Sequence, residues 1–334
     1  MNWLSSHLCR SWYEPNMFST ILSPLGVLHS IARMTRNLLY DCKLLKVEHF
    51  MVPVVVVGNI TAGGTGKTPL VIQLVNDLRA SGYCPGVVSR GYGSNGSYPA
   101  QARKDSDPKE VGDEAVLIAR RTGARVIVDP DRVNAVATLL EQGPVDLVLS
   151  DDGLQHTRLG RCLEIVVLDG ERKFGNGKLL PAGPLRDPVE RLETVDLVVR
   201  NGGVLQSGEF AMKCLLGEAV NILSGERRNL GSFTDRPVVA VAGIGNPQKF
   251  FSELRDLGLE VKTIAFPDHH SYTGTDLEQY AEQTVLMTEK DSLKCEGLAG
   301  EDWWWVDLCI DIDAQLTEQV LHAAEKFRAN ERRI

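Results

Sequence analysis

Early in the chain lies the run Gly63-Gly64-Thr65-Gly66-Lys67-Thr68, whose residue types suit the holding of phosphate. Glycines let backbone N–H groups approach phosphate oxygens closely, and a helix starting just beyond them adds its partial positive charge. In such a loop Lys67 reaches the β- and γ-phosphates of a nucleotide and the Thr68 hydroxyl serves Mg²⁺. Thr61 and Ala62 lead into the turn, and Thr61 stands where the pattern G-x-x-x-x-G-K-[ST] has its first glycine. A strand-to-helix turn without a ligand is the alternative for a lone glycine run.

Other residues of chemical interest are carboxylates and histidines. Asp151-Asp152 closes the apolar stretch Val145–Ser150, and a carboxylate at the end of a buried strand beside a phosphate loop is where such folds hold a metal. Asp113-Glu114 and His269-His270 are further acid–base candidates. Taken alone, Asp113-Glu114 fits an acidic pair at a helix amino terminus, favoured by the macrodipole. Adjacent histidines rarely point the same way.

The elements that must position these groups read as α/β. Val54–Val57 is a β-branched run of the kind buried on both faces of a parallel sheet, and Leu70, Leu74, Val75 and Leu78 carry helical spacing up to Ser81-Gly82. The order strand, glycine turn, helix is the context the phosphate reading requires. Residues 50–199 continue to alternate strand and helix patterns, predicting a parallel-sheet domain like those of phosphate-loop NTPases. Residues 200–235 read as a hairpin linker. A smaller α/β domain follows over 236–312, opening with the strand Val238–Ala242 and the turn Gly243-Ile244-Gly245-Asn246-Pro247, which reads as a strand-to-helix turn bordering the cleft. Trp303-Trp304-Trp305 starts a strand, and residues 313–334 read as a terminal helix packing back on the first domain through Leu316, Val320, Leu321 and Ala324.

Composition narrows the function classes. The 334 residues are 43% hydrophobic and 24% charged, with a formal net charge of −8. Those are ordinary globular proportions, against a disordered, collagen-like or polytopic membrane chain. The acidic balance argues against general nucleic-acid binding. Seven scattered cysteines form no C-x-x-C pair, so neither a zinc site nor a disulfide framework is expected.

Residues 1–49 differ from the rest. No cleavable signal peptide is evident, and the apolar stretch Met17–Ala32 is shorter than the roughly 20 residues of a spanning helix. Arg10, Arg33, Arg36, Lys43 and Lys46 outnumber the acids of this segment, and Trp3, Trp12 and Tyr13 lie beside the apolar run. Basic and aromatic residues beside an apolar run suit an interfacial anchor on anionic lipid. An ordinary helix packed on the core is the alternative.

Several segments in fixed order carry a family resemblance: TAGGTGKTP, Ser89-Arg90-Gly91-Tyr92-Gly93, Gly112-Asp113-Glu114-Ala115, Asp151-Asp152-Gly153-Leu154-Gln155-His156, Gly175-Asn176-Gly177 with Leu180 to Arg186, Phe266-Pro267-Asp268-His269-His270, and Thr288-Glu289-Lys290-Asp291. From about residue 17 to the end, the chain resembles the tetraacyldisaccharide 4′-kinases of lipid A biosynthesis, which share the missing first glycine. The resemblance implies transfer of the ATP γ-phosphate to the 4′-hydroxyl of a tetraacylated glucosamine disaccharide 1-phosphate, giving lipid IVA. It implies Asp113 as the base, His269 as its dyad partner, and Glu114, Thr68, Asp151 and Asp152 around Mg²⁺. Arg90, Tyr92, Arg132, Gln155, His156, Asn176 and Arg186 become candidates for holding the acceptor. Asp187 stands where the family usually has Glu.

By the same resemblance the protein is expected at the inner leaflet, on the cytoplasmic face of the bacterial inner membrane, with no nucleic acid and no obligatory protein partner. A soluble ATPase or GTPase switch or metallochaperone is the competing reading, for which Thr288-Glu289-Lys290-Asp291 would be an echo of a guanine-reading segment. A membrane scaffold that only binds nucleotide is a third.

Overall fold

A computed structural model describes residues 11–14 and 17–331; Trp3, Cys9 and Arg10 of the amino-terminal segment lie outside that range. Among the described residues thirteen strands form one sheet. They are β1 (Val54–Gly58), β2 (Pro85–Ser89), β3 (Ala100–Ala102), β4 (Arg125–Val128), β5 (Leu147–Asp151), β6 (Leu163–Asp169), β7 (Leu197–Asn201), β8 (Glu209–Asn221), β9 (Arg227–Arg228), β10 (Val238–Ala242), β11 (Val261–Ala265), β12 (Val285–Thr288) and β13 (Trp303–Ile312). The sheet order is β11-β10-β12-β13-β8-β7-β6-β1-β5-β2-β4-β3, with the short β9 paired to β8.

The first unit centres on β1, parallel to both β5 and β6. Val54–Val57 is buried because helices cover both faces, as the unbroken β-branched run requires. On one face the helices Lys67–Ala80 and Asp113–Thr122 pack through Leu70, Leu74, Val116 and Ile118. The terminal helix Ala314–Glu331 joins that cluster through Leu316 and Val320. On the other face the helix Arg132–Glu141 contributes Ala135, Val136 and Leu139.

The segment read as a hairpin linker is largely strand. Thirteen residues, Glu209–Asn221, run parallel to β7 at one end and antiparallel to β13 along the rest, so the two units share one sheet. Its burial alternates over residues 211–215 and its last three residues are buried, a mixed pattern in which the sequence shows only short apolar runs. The only hairpin pairing described in the segment is Ala219 and Val220 with Arg228 and Arg227 of β9. In the second unit Trp303 and Trp304 are buried on opposite faces of β13, in separate clusters. Parallel strands put their carboxyl ends on one edge, where ligand sites of open α/β sheets collect.

Candidate active site

β1 delivers the chain into the glycine turn. Gly63 and Gly66 both have φ +100°, and Gly66 caps the helix Lys67–Ala80 in the left-handed region. Side chains would strain that backbone, so glycine is required there. The turn is braced from several strand ends. Asn59 Nδ2 donates to Thr65 Oγ1 (3.3 Å) and Asn201 Nδ2 to the Thr65 carbonyl (3.1 Å). Arg172, held by Asp169 at 2.6 Å, donates to the Gly64 carbonyl (2.5 Å) and the Gly245 carbonyl (3.2 Å). A Cβ on Gly245 would lie 2.4 Å from the Gly64 nitrogen, so the turn after β10 presses directly on the loop. Thr61 is buried and bridges to Leu185, and the Ala62 N–H donates to the Pro184 carbonyl (2.7 Å). Sequence reading missed Asn59, Arg172 and Asn201. Their shared signal is position, just past β1, past β6 and at the end of β7.

Beside the loop lies a carboxylate corner. The Thr68 hydroxyl donates to Asp151 Oδ2 (3.3 Å), and Lys67 Nζ lies 3.5 Å from Asp152 Oδ1. Asp151 is buried, and its Oδ1 has no hydrogen-bond partner among the described residues. Burial, followed by the nearby charge of Glu114, pushes its carboxyl up to about 7 despite Lys67. A buried carboxylate in that condition, next to a threonine hydroxyl, fits a divalent cation. No cluster of three or more His, Cys, Asp or Glu among the described residues could hold a metal by itself. That suits Mg²⁺, which is bound through one or two carboxylates plus substrate phosphates. Asp152, with φ +50°, accepts both 2.8 Å bonds of Arg186. Burial would raise its carboxyl, but Lys67 and Arg186 outweigh burial and hold it below the usual range.

Across the cleft, Asp113 opens the helix Asp113–Thr122 and is 4% exposed. His269, itself at φ +58°, comes from the second unit and places Nδ1 3.0 and 3.1 Å from the two Asp113 oxygens. The Glu114 N–H also donates to Asp113 Oδ1 (2.9 Å). Lys290 Nζ lies 3.2 Å from both Glu114 and Asp268 and 3.9 Å from Asp113. Burial opposes ionisation of Asp113, yet Lys290, the His269 hydrogen bond and Lys294 hold its carboxyl well below the usual range. Burial likewise opposes protonation of His269, and the hydrogen bond to Asp113 raises it nonetheless. His270 turns away, stacked on Phe266 and 3.3 Å from Asp276. The segment Thr288-Glu289-Lys290-Asp291 is engaged with Asp113 and Glu114 through Lys290 and with helix capping, since Thr288 caps the helix Glu289–Ser292.

A cleft of about 460 Å³ joins these parts, lined by the loop residues 62–68 and by Tyr92, Glu114, Asp152, Arg186, His269 and Lys290. Tyr92 packs on His269 with ring centroids 4.7 Å apart. The remaining acceptor candidates divide. Arg90 is exposed. Gln155 donates to the Asn59 carbonyl (3.0 Å) and to Asp187 Oδ2 (2.8 Å). His156 is pushed down to about 4 by burial, Arg132 and Arg90. Arg132 is buried and donates to the carbonyls of Asp129 (2.8 Å) and Asp151 (3.2 Å), bracing the end of β5. Asn176 Nδ2 donates to Ser19 Oγ and the Ala182 carbonyl, both 2.9 Å. Arg132 and Asn176 thus work on the protein's own frame.

Asn176 also shows how the amino-terminal helices Met17–Ile21 and Ser23–Asp41 sit. Their polar face turns inward: Lys178 Nζ donates to Ser23 Oγ (3.0 Å), His29 Nε2 lies 3.3 Å from the Arg186 carbonyl, and Arg33 pairs with Asp187 at 3.4 Å. Leu25, Leu28, Ile31, Met34 and Leu38 are exposed, the least of them 49%. Among the described residues no helix is long and apolar enough to cross a membrane.

Comparison with known proteins bears on all of this. A family model described as Tetraacyldisaccharide-1-P 4′-kinase matches residues 18–325. A tetraacyldisaccharide 4′-kinase from Nitrosococcus oceani is 49% identical over 318 residues, 95% of this chain and 94% of that one. One from Haemophilus influenzae is 44% identical over 310 residues, 92% of each chain. The crystal structure of LpxK from Aquifex aeolicus, in complex with ATP, superposes with a TM-score of 0.78 at 28% identity, covering 92% of this chain and all of that one. The fold and the matched length agree, and this chain belongs to the tetraacyldisaccharide-1-phosphate 4′-kinase family.

Proposed function

We propose that the protein transfers the γ-phosphate of ATP to the 4′-hydroxyl of a tetraacylated glucosamine disaccharide 1-phosphate, the lipid A precursor, giving lipid IVA. One observation carries this reading: the glycine loop and His269, from different units of the sheet, line one cleft, and His269 is hydrogen-bonded to Asp113 at its border. A sugar hydroxyl is a poor nucleophile at neutral pH, so a positioned base must take its proton during transfer. Asp113 fills that role, oriented by His269. Loop N–H groups and Lys67 hold the phosphates, and Arg186 stands ready beside Asp152 to meet transition-state charge. Thr68 and Asp151, with Asp152 and Glu114 nearby, would hold Mg²⁺. The ion would neutralise charge on the β- and γ-phosphates.

In this reading residues 50–199 form the kinase core, 200–235 the connection, 236–312 the unit that supplies His269, and 313–334 the terminal segment whose helix Ala314–Glu331 closes on the core. Arg90, Tyr92, Gln155 and His156 lie on the acceptor side with Arg186. Residues 1–49 associate with the inner leaflet of the bacterial inner membrane. The support is the orientation of the Ser23–Asp41 helix: a polar face spent on protein and an apolar face left outward is the pattern of a helix lying in a lipid interface. The test is radiolabelled phosphate transfer to the disaccharide acceptor in detergent, with ADP measured alongside. Label on the lipid in one-to-one ratio with ADP is expected; ADP release at the same rate without acceptor would favour a nucleotide switch instead.

A further inference from the structure

Lys294 takes no part in the reading above, although it stands beside Asp113. Its side chain is 8% exposed, and Nζ lies 3.4 Å from Asp113 Oδ2 and 3.3 Å from Asp291 Oδ1. A buried ammonium persists only where opposite charge compensates its lost hydration, and here it has a carboxylate from each unit of the sheet. The Asp291 end is rigid. Asp291 is fully buried, and its Oδ2 accepts the Gly243 N–H (2.8 Å) and the Thr288 hydroxyl (2.6 Å), which follow β10 and end β12. Gly243 leaves little room for movement, since a Cβ there would lie 3.0 Å from Asp291 Oδ1. His269 and Lys290 reach Asp113 from the nucleotide cleft, which they line. Lys294 reaches it beside a second cavity of about 150 Å³, which Asp113, His269 and Tyr272 also line.

We propose that Lys294 is a positioning residue, which with Asp291 clamps the Asp113 carboxylate to the second unit so that its free oxygen lone pair meets the acceptor hydroxyl. His269 meets both carboxylate oxygens and the Glu114 N–H holds Oδ1; Lys294 adds a charged tether on Oδ2 that ties the carboxyl group to the second unit. Displacing a reacting group by about 1 Å can cost on the order of 10²-fold in rate, so a tether that never meets substrate still controls turnover. The inference rests on Asp113 being the base.

Its test uses the full chain, with the disaccharide acceptor in detergent and variants Lys294→Met and Asp291→Asn. In Lys294→Met, kcat for transfer is expected to fall roughly tenfold or more, and in Asp291→Asn by a smaller factor of the same kind. In both, the KM for ATP and the slow acceptor-independent hydrolysis of ATP stay within about twofold of the parent. Loss of ATP affinity in step with kcat would mark a merely structural role and overturn the proposal. So would wild-type kcat in folded Asp291→Asn, which decides the matter alone if Lys294→Met does not fold. Asp113→Asn, assayed in parallel, separates the two readings. Normal transfer by that variant removes the base assignment and this inference together. An inactive Asp113→Asn beside fully active Lys294 and Asp291 variants removes this inference only.

Discussion

At the phosphate loop the gripping groups lie within residues 61–68, and most of them are backbone N–H groups shaped by two left-handed glycines. At the other end of the cleft, 156 residues of chain separate Asp113 from its partner His269, and the groups that decide its charge are side chains from a different unit. The first region is a local device, set by a short run of sequence and steadied by neighbours such as Asn59, Arg172 and Asn201. The second exists only after the long strand β8 has joined both units into one sheet. On the proposed roles, damage to the second region should cost proton acceptance more than phosphate binding.

The largest effect should come where that dependence is sharpest. Asp113→Asn keeps the shape but removes the proposed acceptor of the proton, and general-base catalysis is typically worth 10²–10⁴-fold. A fall of about that size in kcat is expected, with ATP affinity little changed, measured by varying ATP at saturating acceptor. If ATP affinity collapses while chemistry persists, Asp113 belongs with the metal corner and the contrast between the two ends is wrong. Lys67→Ala attacks the other end. Its ammonium stabilises charge developing on the phosphates, so a loss of about 10²–10³-fold in turnover is expected, here accompanied by weaker ATP binding in a direct titration. Near-normal phosphorylation would remove the loop from the mechanism.

The same contrast decides what could be read from the chain. The buried run Val54–Val57, the glycine turn and the helix behind it follow from local chemistry, so the α/β core and the strand–turn–helix unit were legible without reference to any relative. Asp113-Glu114 carried no such signal. On its own it matches any acidic helix start, and only the order of the surrounding segments pointed to His269. Lys290 and Lys294 were hidden for another reason: a lysine looks like surface until a fold buries it against carboxylates. Arg132 and Asn176 show the converse: both were read as acceptor candidates, and in the fold they bond to backbone carbonyls and Ser19, partners that a sequence does not reveal. The long β8 escaped because a strand whose burial is mixed shows only short apolar runs.

A smaller and more specific effect should appear in pH dependence at the metal corner. Asp151 titrates near 7 in the folded chain, against 3.8 for its ordinary value, because burial and the charge of Glu114 disfavour its ionised form. The folded state thus holds a proton that the unfolded state releases between those values, so this group makes stability fall as pH rises from about 4 to about 7. Asp151→Asn is expected to flatten that part of a plot of Tm against pH in metal-free buffer. A cation needs the deprotonated carboxylate, so apparent Mg²⁺ affinity of the parent should rise as pH rises through 7. A Mg²⁺ requirement independent of pH between 6 and 8 would place the ion elsewhere.

The smallest effect on turnover, though not on location, is expected at the apolar face of the Ser23–Asp41 helix. Leu28 and Ile31 are 61% and 54% exposed, while Ser23, His29 and Arg33 on the other face hold the segment 178–187 that carries Arg186. Replacing Leu28 and Ile31 by Asn leaves those inward contacts in place, so kcat on an acceptor dispersed in detergent should change by less than about threefold, the scale of a surface substitution. Binding to vesicles containing anionic lipid should weaken far more, because each apolar side chain withdrawn from lipid forfeits about 1.5–3 kcal/mol. Flotation of the parent and the double variant on the same vesicles measures the difference. If both float equally, the outward apolar face does not hold the protein to lipid. If the variant instead loses kcat in detergent as severely as Lys67→Ala, the helix is a structural part of the phosphate site, and the division between a local loop and an assembled corner must be redrawn to include it.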